Sequence, residues 1–146
     1  MTIQITRATQ TTDGLVAALS QLLPQLAPSD SPPTPAHLAE ILANPHIYML
    51  LAHQPAGEIV GTLTLALYRT ISGLHAWIED VVVDATARSQ GIGEALCNEG
   101  IAIARNAGAT SVNLTSRPTR AAANRLYQRL GFVQRQTNLY RYVIEH

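Results

Sequence analysis

Residues 78–93, read IEDVVVDATARSQGIG, constrain the fold of this chain more than any other stretch. The β-branched run from Ile78 through Val81, Val82 and Val83 packs best on a pleated, half-buried surface and predicts a strand. A short loop holding Arg88, Ser89, Gln90, Gly91 and Gly93 follows, and an apolar repeat of helical spacing begins at once. Strand, glycine loop and helix in that order gather unpaired N–H groups and the positive end of a helix dipole at one point. That arrangement suits a phosphate-bearing ligand. Glu79 and Asp80 lie upstream on the same strand. A ligand cradle and a candidate general base therefore share one continuous element.

A chain of 146 residues is the size of one domain with a single sizeable core, so residues 1–146 are expected to fold as one unit. With 47% hydrophobic and 14% charged residues, the composition is that of a globular protein and excludes a disordered one. Ten basic residues balance ten acidic ones, which argues against a nucleic-acid partner held by bulk charge. The single cysteine, Cys97, excludes an internal disulfide and a cysteine-based metal site, and no metal is expected. It falls within the helix after the glycine loop, where it reads as a small buried hydrophobe. There is no charged-then-apolar leader and no apolar run of membrane-spanning length. The expectation is a soluble cytoplasmic protein with no membrane partner.

In chain order, Ile3 and Ile5 alternate with polar neighbours in a short first strand. Thr11, Thr12 and Asp13 can cap a helix with the stripe Leu15, Leu19, Leu22 and Leu26, which Pro24 is expected to end. Five prolines between 24 and 35 make an irregular segment, read as a connector or as a loop over a binding site. A second short helix points Leu38, Ile41 and Leu42 inward and stops at Asn44 and Pro45. Three strands joined by short turns then form a meander over 47–51, 59–68 and 74–83. Residues 91–108 give the plainest helix, with Ile92, Leu96, Gly100, Ile103 and Ala107 inward and Gly108 as its stop. A strand over 111–115 should run parallel to the third meander strand, because a helical crossover separates them. Pro118 is expected to open a last helix carrying Ala123, Leu126, Tyr127 and Leu130 and closed by Gly131. Phe132 with Val133, and residues 139–144, read as a terminal strand pair. The fold class is α+β: a mostly antiparallel sheet with one parallel βαβ crossover and flanking helices.

Three phosphate-loop readings can be compared. A P-loop needs lysine and a hydroxyl residue after its last glycine, where Glu94 and Ala95 stand instead. A dinucleotide fingerprint needs a third glycine where Leu96 stands, and repeated βαβ units where the chain has a meander. What fits is a cradle of backbone N–H groups from Arg88 to Glu94, with Gly91 and Gly93 allowing close approach. A plain strand-to-helix turn would use the same glycines.

The segment from Val81, Val82, Val83 and Asp84 through Arg88-x-x-Gly91-x-Gly93 resembles the acyl-CoA-binding motif of the GNAT superfamily of N-acyltransferases. The later Ala123-x-x-Leu126-Tyr127-x-x-Leu130-Gly131-Phe132 is similar to that family's second signature. The resemblance implies an N-acetyltransferase with acetyl-CoA as cosubstrate and a primary amine of a small molecule or protein as acceptor, acting by direct transfer in a ternary complex. The loop of Arg88, Ser89, Gln90, Gly91, Gly93 and Glu94 would hold the pyrophosphate. Main-chain groups of Val81 and Val83 would pair with the pantetheine arm as an added strand. Where the family often has asparagine, seven residues before the tyrosine, this chain has Arg120; Asn124 one turn on, or Arg120 itself, would serve instead. A non-catalytic acyl-CoA-binding module is the alternative, and a homodimer is compatible with the terminal hairpin.

Acyl transfer from a thioester needs a neutral amine, a stabilised oxyanion and a proton for the departing thiolate. Glu79 is the candidate base and Asp80 its competitor, since neighbours on a strand face opposite sides unless a bulge intervenes. His75 and His53 are secondary candidates. Tyr127 is the candidate acid, as the family resemblance implies.

Overall fold

In a computed structural model, which describes residues 2–27 and 31–146, the sheet has five strands in the order β1-β2-β3-β4-β5. They are β1 (Gln4–Arg7), β2 (Ile47–His53), β3 (Ile59–Thr70), β4 (Gly73–Val83) and β5 (Val112–Asn113). The first three pairings are antiparallel and β4 to β5 is parallel. Among the described residues four α-helices accompany them: α1 (Asp13–Leu26), α2 (Pro35–Ala43), α3 (Ile92–Ala107) and α4 (Ala121–Leu130). The expected α+β class, meander and parallel crossover are all present. Two compact units divide the chain, Met1–Thr115 and Ser116–His146. Among the described residues no helix is long and apolar enough to cross a membrane.

In the first unit the sheet separates two layers of side chains. Directly paired residues share a face, so the register puts Met49, Leu51, Thr62 and Thr64 on one side. There Leu15 and Leu19 of α1 and Leu38 of α2 form a buried cluster with Met49 and Leu51. On the other side lie Leu50, Leu63 and Leu65, all buried, beneath the α3 stripe of Ile92, Leu96, Cys97, Gly100 and Ala104. That stripe passes through Cys97 and Ala104 in place of the expected Ile103 and Ala107. A helix turns 100° per residue, and positions 4, 5, 8 and 12 after Ile92 stay within one face. The buried Gly100 allows the close approach expected of it, since a Cβ there would lie 3.4 Å from Leu63 Cδ2.

Several boundaries moved for identifiable reasons. The α1 helix runs through Pro24 to Leu26, because a proline in the last turn forfeits a single backbone bond, and the Ala27 N–H still reaches the Leu23 carbonyl at 3.0 Å. The centre of the proline-rich segment, residues 28–30, lies outside the described residues. Pro118 sits in a turn closed by the Arg120 N–H on the Arg117 carbonyl at 3.0 Å, and α4 begins only at Ala121. The expected terminal strand pair is absent: residues 132–146 carry no strand. The Phe132 N–H instead closes the end of α4 on the Tyr127 carbonyl at 2.9 Å. Beyond it Leu139, Tyr140, Tyr142, Val143 and Ile144 stand exposed. Alternating apolar residues suit a sheet, but a strand exists only where a ladder partner is within reach.

Gly61 on β3 marks the tightest sheet-to-helix contact. A Cβ there would meet Ile92 Cγ2 and Leu96 Cδ1 at 3.2 Å and the Val82 carbonyl at 3.3 Å. Gly61→Val should therefore destabilise the protein by about 1–3 kcal/mol through overpacking. A denaturant midpoint equal to that of the unsubstituted protein would show that the helix yields freely.

Candidate active site

The α3 face of β4 reads regularly until Ile78, and then the strand gains a residue. Thr64 pairs with Glu79 and Thr62 with Val82, so Asp80 and Val81 together oppose the single Leu63. This is a β-bulge, and Asp80 within it is left-handed, with φ 52°. The bulge inverts the alternation of side chains. Glu79 and Val82, three apart, share the face covered by α1 and α2, whereas in a regular strand they would point oppositely. The two candidate carboxylates are thus distinguished. Glu79 projects from a paired position on that face, while Asp80 is the bulge residue, and both are exposed.

The same region is where β4 leaves β5. Their parallel ladder holds only at Ala76 with Val112 and Trp77 with Asn113. The predicted strand over 111–115 shrinks to these two residues. From Ile78 onward β4 has no ladder partner on its β5 side among the described residues, although its pairing to β3 continues to Val83. Unpaired main chain at a strand edge is a template for an extended ligand. Val81 and Val83 lie within this stretch.

Past Val83 the chain makes a 3-10 turn, Ala85–Ala87, and then the loop. Ser89 and Gly91 are left-handed, at φ 66° and 77°. Gly91 is also the N-cap of α3 and brings no side chain to its first turn, unlike Thr12 and Thr34, whose hydroxyls cap α1 and α2. A Cβ built on Gly91 would meet nothing within 4 Å, so the space above it is open. A bare helix start with an open approach fits an anionic group. Arg88, Ser89 and Gln90 are exposed, Gly93 and Glu94 lie in the first turn of α3, and Arg88 Nε donates to the Val83 carbonyl at 3.3 Å.

Asp84, part of the motif quoted from the sequence, carries a side-chain role that the motif does not assign. It is buried, and its carboxylate accepts the Thr86 N–H at 2.9 Å, the Thr86 hydroxyl at 2.8 Å and Gln21 Nε2 at 3.0 Å. The Thr86 N–H, then its hydroxyl, hold the Asp84 carboxyl below the usual carboxylate range, while burial pushes the other way. An Asp that leads a turn and takes the N–H two residues on is a recognisable pattern, and Asp84-Ala85-Thr86 carried it.

The histidines are occupied elsewhere. His53, on β2 and two strands from β4, bonds Thr6 Oγ1 at 2.8 Å and the Gly57 carbonyl at 3.2 Å. His75 sits at the hairpin end of β4, stacked on Tyr68, with Thr70 Oγ1 at 2.7 Å and Ser72 Oγ at 3.0 Å. Among the described residues no group of three or more His, Cys, Asp or Glu is arranged to hold a metal ion.

Within the second unit, Tyr127 is buried on α4 and meets Phe132 edge-to-face, ring centroids 5.8 Å apart. Asn124 Nδ2 donates to the Arg117 carbonyl at 2.9 Å, which ties the turn before α4 to its first residues. Arg120 is the N-cap and makes no side-chain cap bond.

Cys97, buried on α3, behaves as the small hydrophobe expected. Burial pushes its thiol from an ordinary 9.0 up to about 11, and the Glu94 carboxylate adds to the rise. The native thiol should resist disulfide reagents at pH 8 and react fully once unfolded. An unfolded cysteine ionises before the folded one does, so this contribution to stability is complete below pH 9.0 and fades towards about 11. Denaturant midpoints across that range should fall less for Cys97→Ala than for the unsubstituted protein; parallel curves would refute the assignment.

Against this geometry the likeness to known proteins can be set. Residues 16–132 match the Acetyltransferase (GNAT) family model. The chain is 36% identical over 143 residues to a probable glucosamine 6-phosphate N-acetyltransferase 2 of Oryza sativa subsp. japonica, covering 91% of this chain and 83% of that protein. A putative acetyltransferase from Agrobacterium tumefaciens superposes with a TM-score of 0.83 at 28% identity, over 96% of this chain and 99% of that one. AAC(6')-Iy, solved with the bisubstrate analog CoA-S-monomethyl-acetylneamine, shares the fold at a TM-score of 0.77 and 21% identity, over 99% of this chain and 100% of its own. The matched span takes in the bulged strand, the uncapped loop and the helix of Tyr127, and by it the chain belongs to the GNAT family of acetyltransferases, for which acetyl-CoA is the cosubstrate.

Proposed function

We propose that this chain transfers the acetyl group of acetyl-CoA directly to the primary amine of a small molecule, an amino-sugar phosphate first among candidates, as a cytoplasmic enzyme. One observation carries the reading: an open, left-handed loop enters an uncapped helix immediately after a strand that has lost its parallel neighbour. Residues 88–94 take the pyrophosphate there, and the main chain of Val81 and Val83 pairs with the pantetheine arm. Residues 1–146 act as one acetyltransferase domain, a reading supported by a family match that spans both compact units. The amino-sugar phosphate is supported by the name of the rice relative.

In this mechanism Glu79 accepts the proton of the attacking amine, directly or through a water. The new C–N bond forms as the thioester carbon becomes tetrahedral, and a backbone N–H near Val83 receives the oxyanion. Collapse breaks the C–S bond, and Tyr127 returns a proton to the thiolate. Glu79 is preferred over Asp80 because it projects from a paired position, whereas Asp80 is committed to the bulge. Asn124, its amide already given to Arg117, retains a side-chain oxygen for the cofactor.

Free CoA release with glucosamine 6-phosphate and a panel of other amines should show turnover with the amino-sugar phosphate. Glu79→Gln and Tyr127→Phe should each lower kcat by about 10²-fold or more while leaving acetyl-CoA binding intact, in the range of general acid–base contributions. A larger loss in Asp80→Asn would transfer the role of base, and unchanged turnover in Tyr127→Phe would remove the tyrosine.

The chain is further read as a homodimer. Val133, Leu139, Tyr140, Tyr142, Val143 and Ile144 are each 70–91% exposed. Aromatic side chains present roughly 150–250 Å² each, and the six together approach the ~800 Å² that each partner of a standard interface buries. Sedimentation should report a dimer that Tyr142→Lys with Ile144→Glu converts to monomer. A monomeric unsubstituted protein would contradict it.

A further inference from the structure

Two glutamines of α1 reach across some sixty residues of sequence to the start of the loop. Gln21 Nε2 donates to Asp84 Oδ2 at 3.0 Å, and Gln25 Oε1 accepts the Ala85 N–H at 2.8 Å. The two lie one helical turn apart, so they present from the same face of α1. They are also joined to each other, Gln25 Nε2 donating to the Gln21 carbonyl at 3.2 Å. On the opposite side of the same short segment the Asp84 N–H donates to the Val60 carbonyl of β3 at 2.8 Å. The Ala87 N–H closes the turn on the Asp84 carbonyl at 2.9 Å. The four residues between the end of β4 and the loop, Asp84 to Ala87, are thus held from α1, from β3 and from within.

A carboxylate next to an anion site is at first sight misplaced. A free Asp84 would repel a pyrophosphate. Here the carboxylate is buried and spends its lone pairs on neutral donors, from Thr86 and Gln21, that fix the direction in which the chain leaves β4. A charged acceptor holds such donors roughly twice as strongly as a neutral one. Ahead of α3 the loop packs little of itself: Ser89 and Gly91 are left-handed, and Arg88, Ser89 and Gln90 are exposed. The position of its N–H groups is therefore set by how firmly its root is held.

We propose that Gln21 and Gln25 are positioning residues for cofactor binding, acting through Asp84 and Ala85 to fix the root of the 88–94 loop. The proposal rests on the reading of that loop as the pyrophosphate cradle. Neither glutamine touches the ligand; α1 holds the cradle in its binding geometry. Removing the latch should weaken the hold on acetyl-CoA and leave the chemical step alone.

The test is a set of steady-state and calorimetric measurements on Gln21→Leu, Gln25→Leu and Asp84→Asn, with Gln21→Leu also made in the Asp84→Ala background. Gln21→Leu should raise KM for acetyl-CoA and Kd for CoA by about 3–10-fold, the scale of one lost hydrogen bond, with kcat at saturation changed less than twofold. Gln25→Leu should act in the same direction. Asp84→Asn should be the mildest, since a flipped Gln21 amide can accept from the new side chain. In the Asp84→Ala background Gln21→Leu should add nothing, because the two act as one unit. Should Asp84→Ala not fold, the cycle is run with Asp84→Asn, where Gln21→Leu should again raise KM. A fall in melting temperature with KM unchanged would make the latch a purely structural contact and overturn the proposal, as would effects that multiply. If the unsubstituted protein binds no CoA, the cradle reading fails with it. If that protein binds CoA and Gln21→Leu binds equally well, only the latch fails.

Discussion

The bulge at Asp80 is the constraint on which the rest of the site depends. A strand that gains one residue against one neighbour changes its pleat, its twist and the side of the sheet on which later side chains emerge. β4 accommodates that change against β3, to which it stays paired from Gly73 through Val83. Against β5 its ladder consists of two residue pairs, both before the bulge. The cost of the left-handed Asp80, of the order of 1–3 kcal/mol for strained backbone, is offset by burial across a continuous β3–β4 seam. What is left is a stretch of main chain that keeps its ladder to β3 and, among the described residues, has none to β5. Backbone donors and acceptors require partners, and an extended amide-bearing ligand can supply them.

A second consequence concerns charge. The chain has as many acidic as basic residues, so attraction of a polyanion cannot rest on net charge. On the reading proposed for this chain it comes from local features, the loop's Arg88 and local dipoles. The uncapped start of α3 provides one, and its value depends on geometry because the effect fades beyond the first turn. Geometry in turn depends on the root of the loop, where Asp84 carries a full negative charge. That charge is tolerable because its neutral donors absorb it, and useful because it orders them more firmly than an amide could.

Much of this was legible in the sequence, and most of the remainder was hidden for a common cause. Gly108 ends α3 in the left-handed conformation that local chemistry alone suggests, whereas the left-handed Gly91 ahead of the helix is met only in the fold. The meander and the parallel crossover emerged from turn residues and helix length in the same way. The bulge was foreseen only as a question, for nothing in IEDVVVD distinguishes a regular strand from a bulged one; the register against Leu63 decides it. The shortened β5 and the missing terminal pair are failures of the same kind. Residues 139–144 have every local quality of a strand, yet strand formation is a property of two segments. Gln21 and Gln25 were invisible for a different reason. On an amphipathic helix they read as ordinary polar-face residues, and their meaning comes from Asp84 and Ala85, met only in the fold.

The face on which α1 lies links these points. By register Glu79 and Val82 emerge on the face that α1 and α2 cover, while the helix after the loop covers the other. The bulge puts the candidate base and the latch-bearing helix on one side of the sheet. On the reading proposed for this chain, the loop of the cofactor and the groove of the acceptor then share a wall. α1 would bound the acceptor space with one part of its surface and steady the cofactor loop with Gln21 and Gln25. A helix that does both must be held rigidly itself. Leu15, Leu19 and Leu22, each nearly inaccessible to solvent, anchor it along its length. Variation in acceptor preference would then be confined to the exposed parts of α1 and α2. The buried leucines and the two glutamines would be bound by the needs of the cofactor.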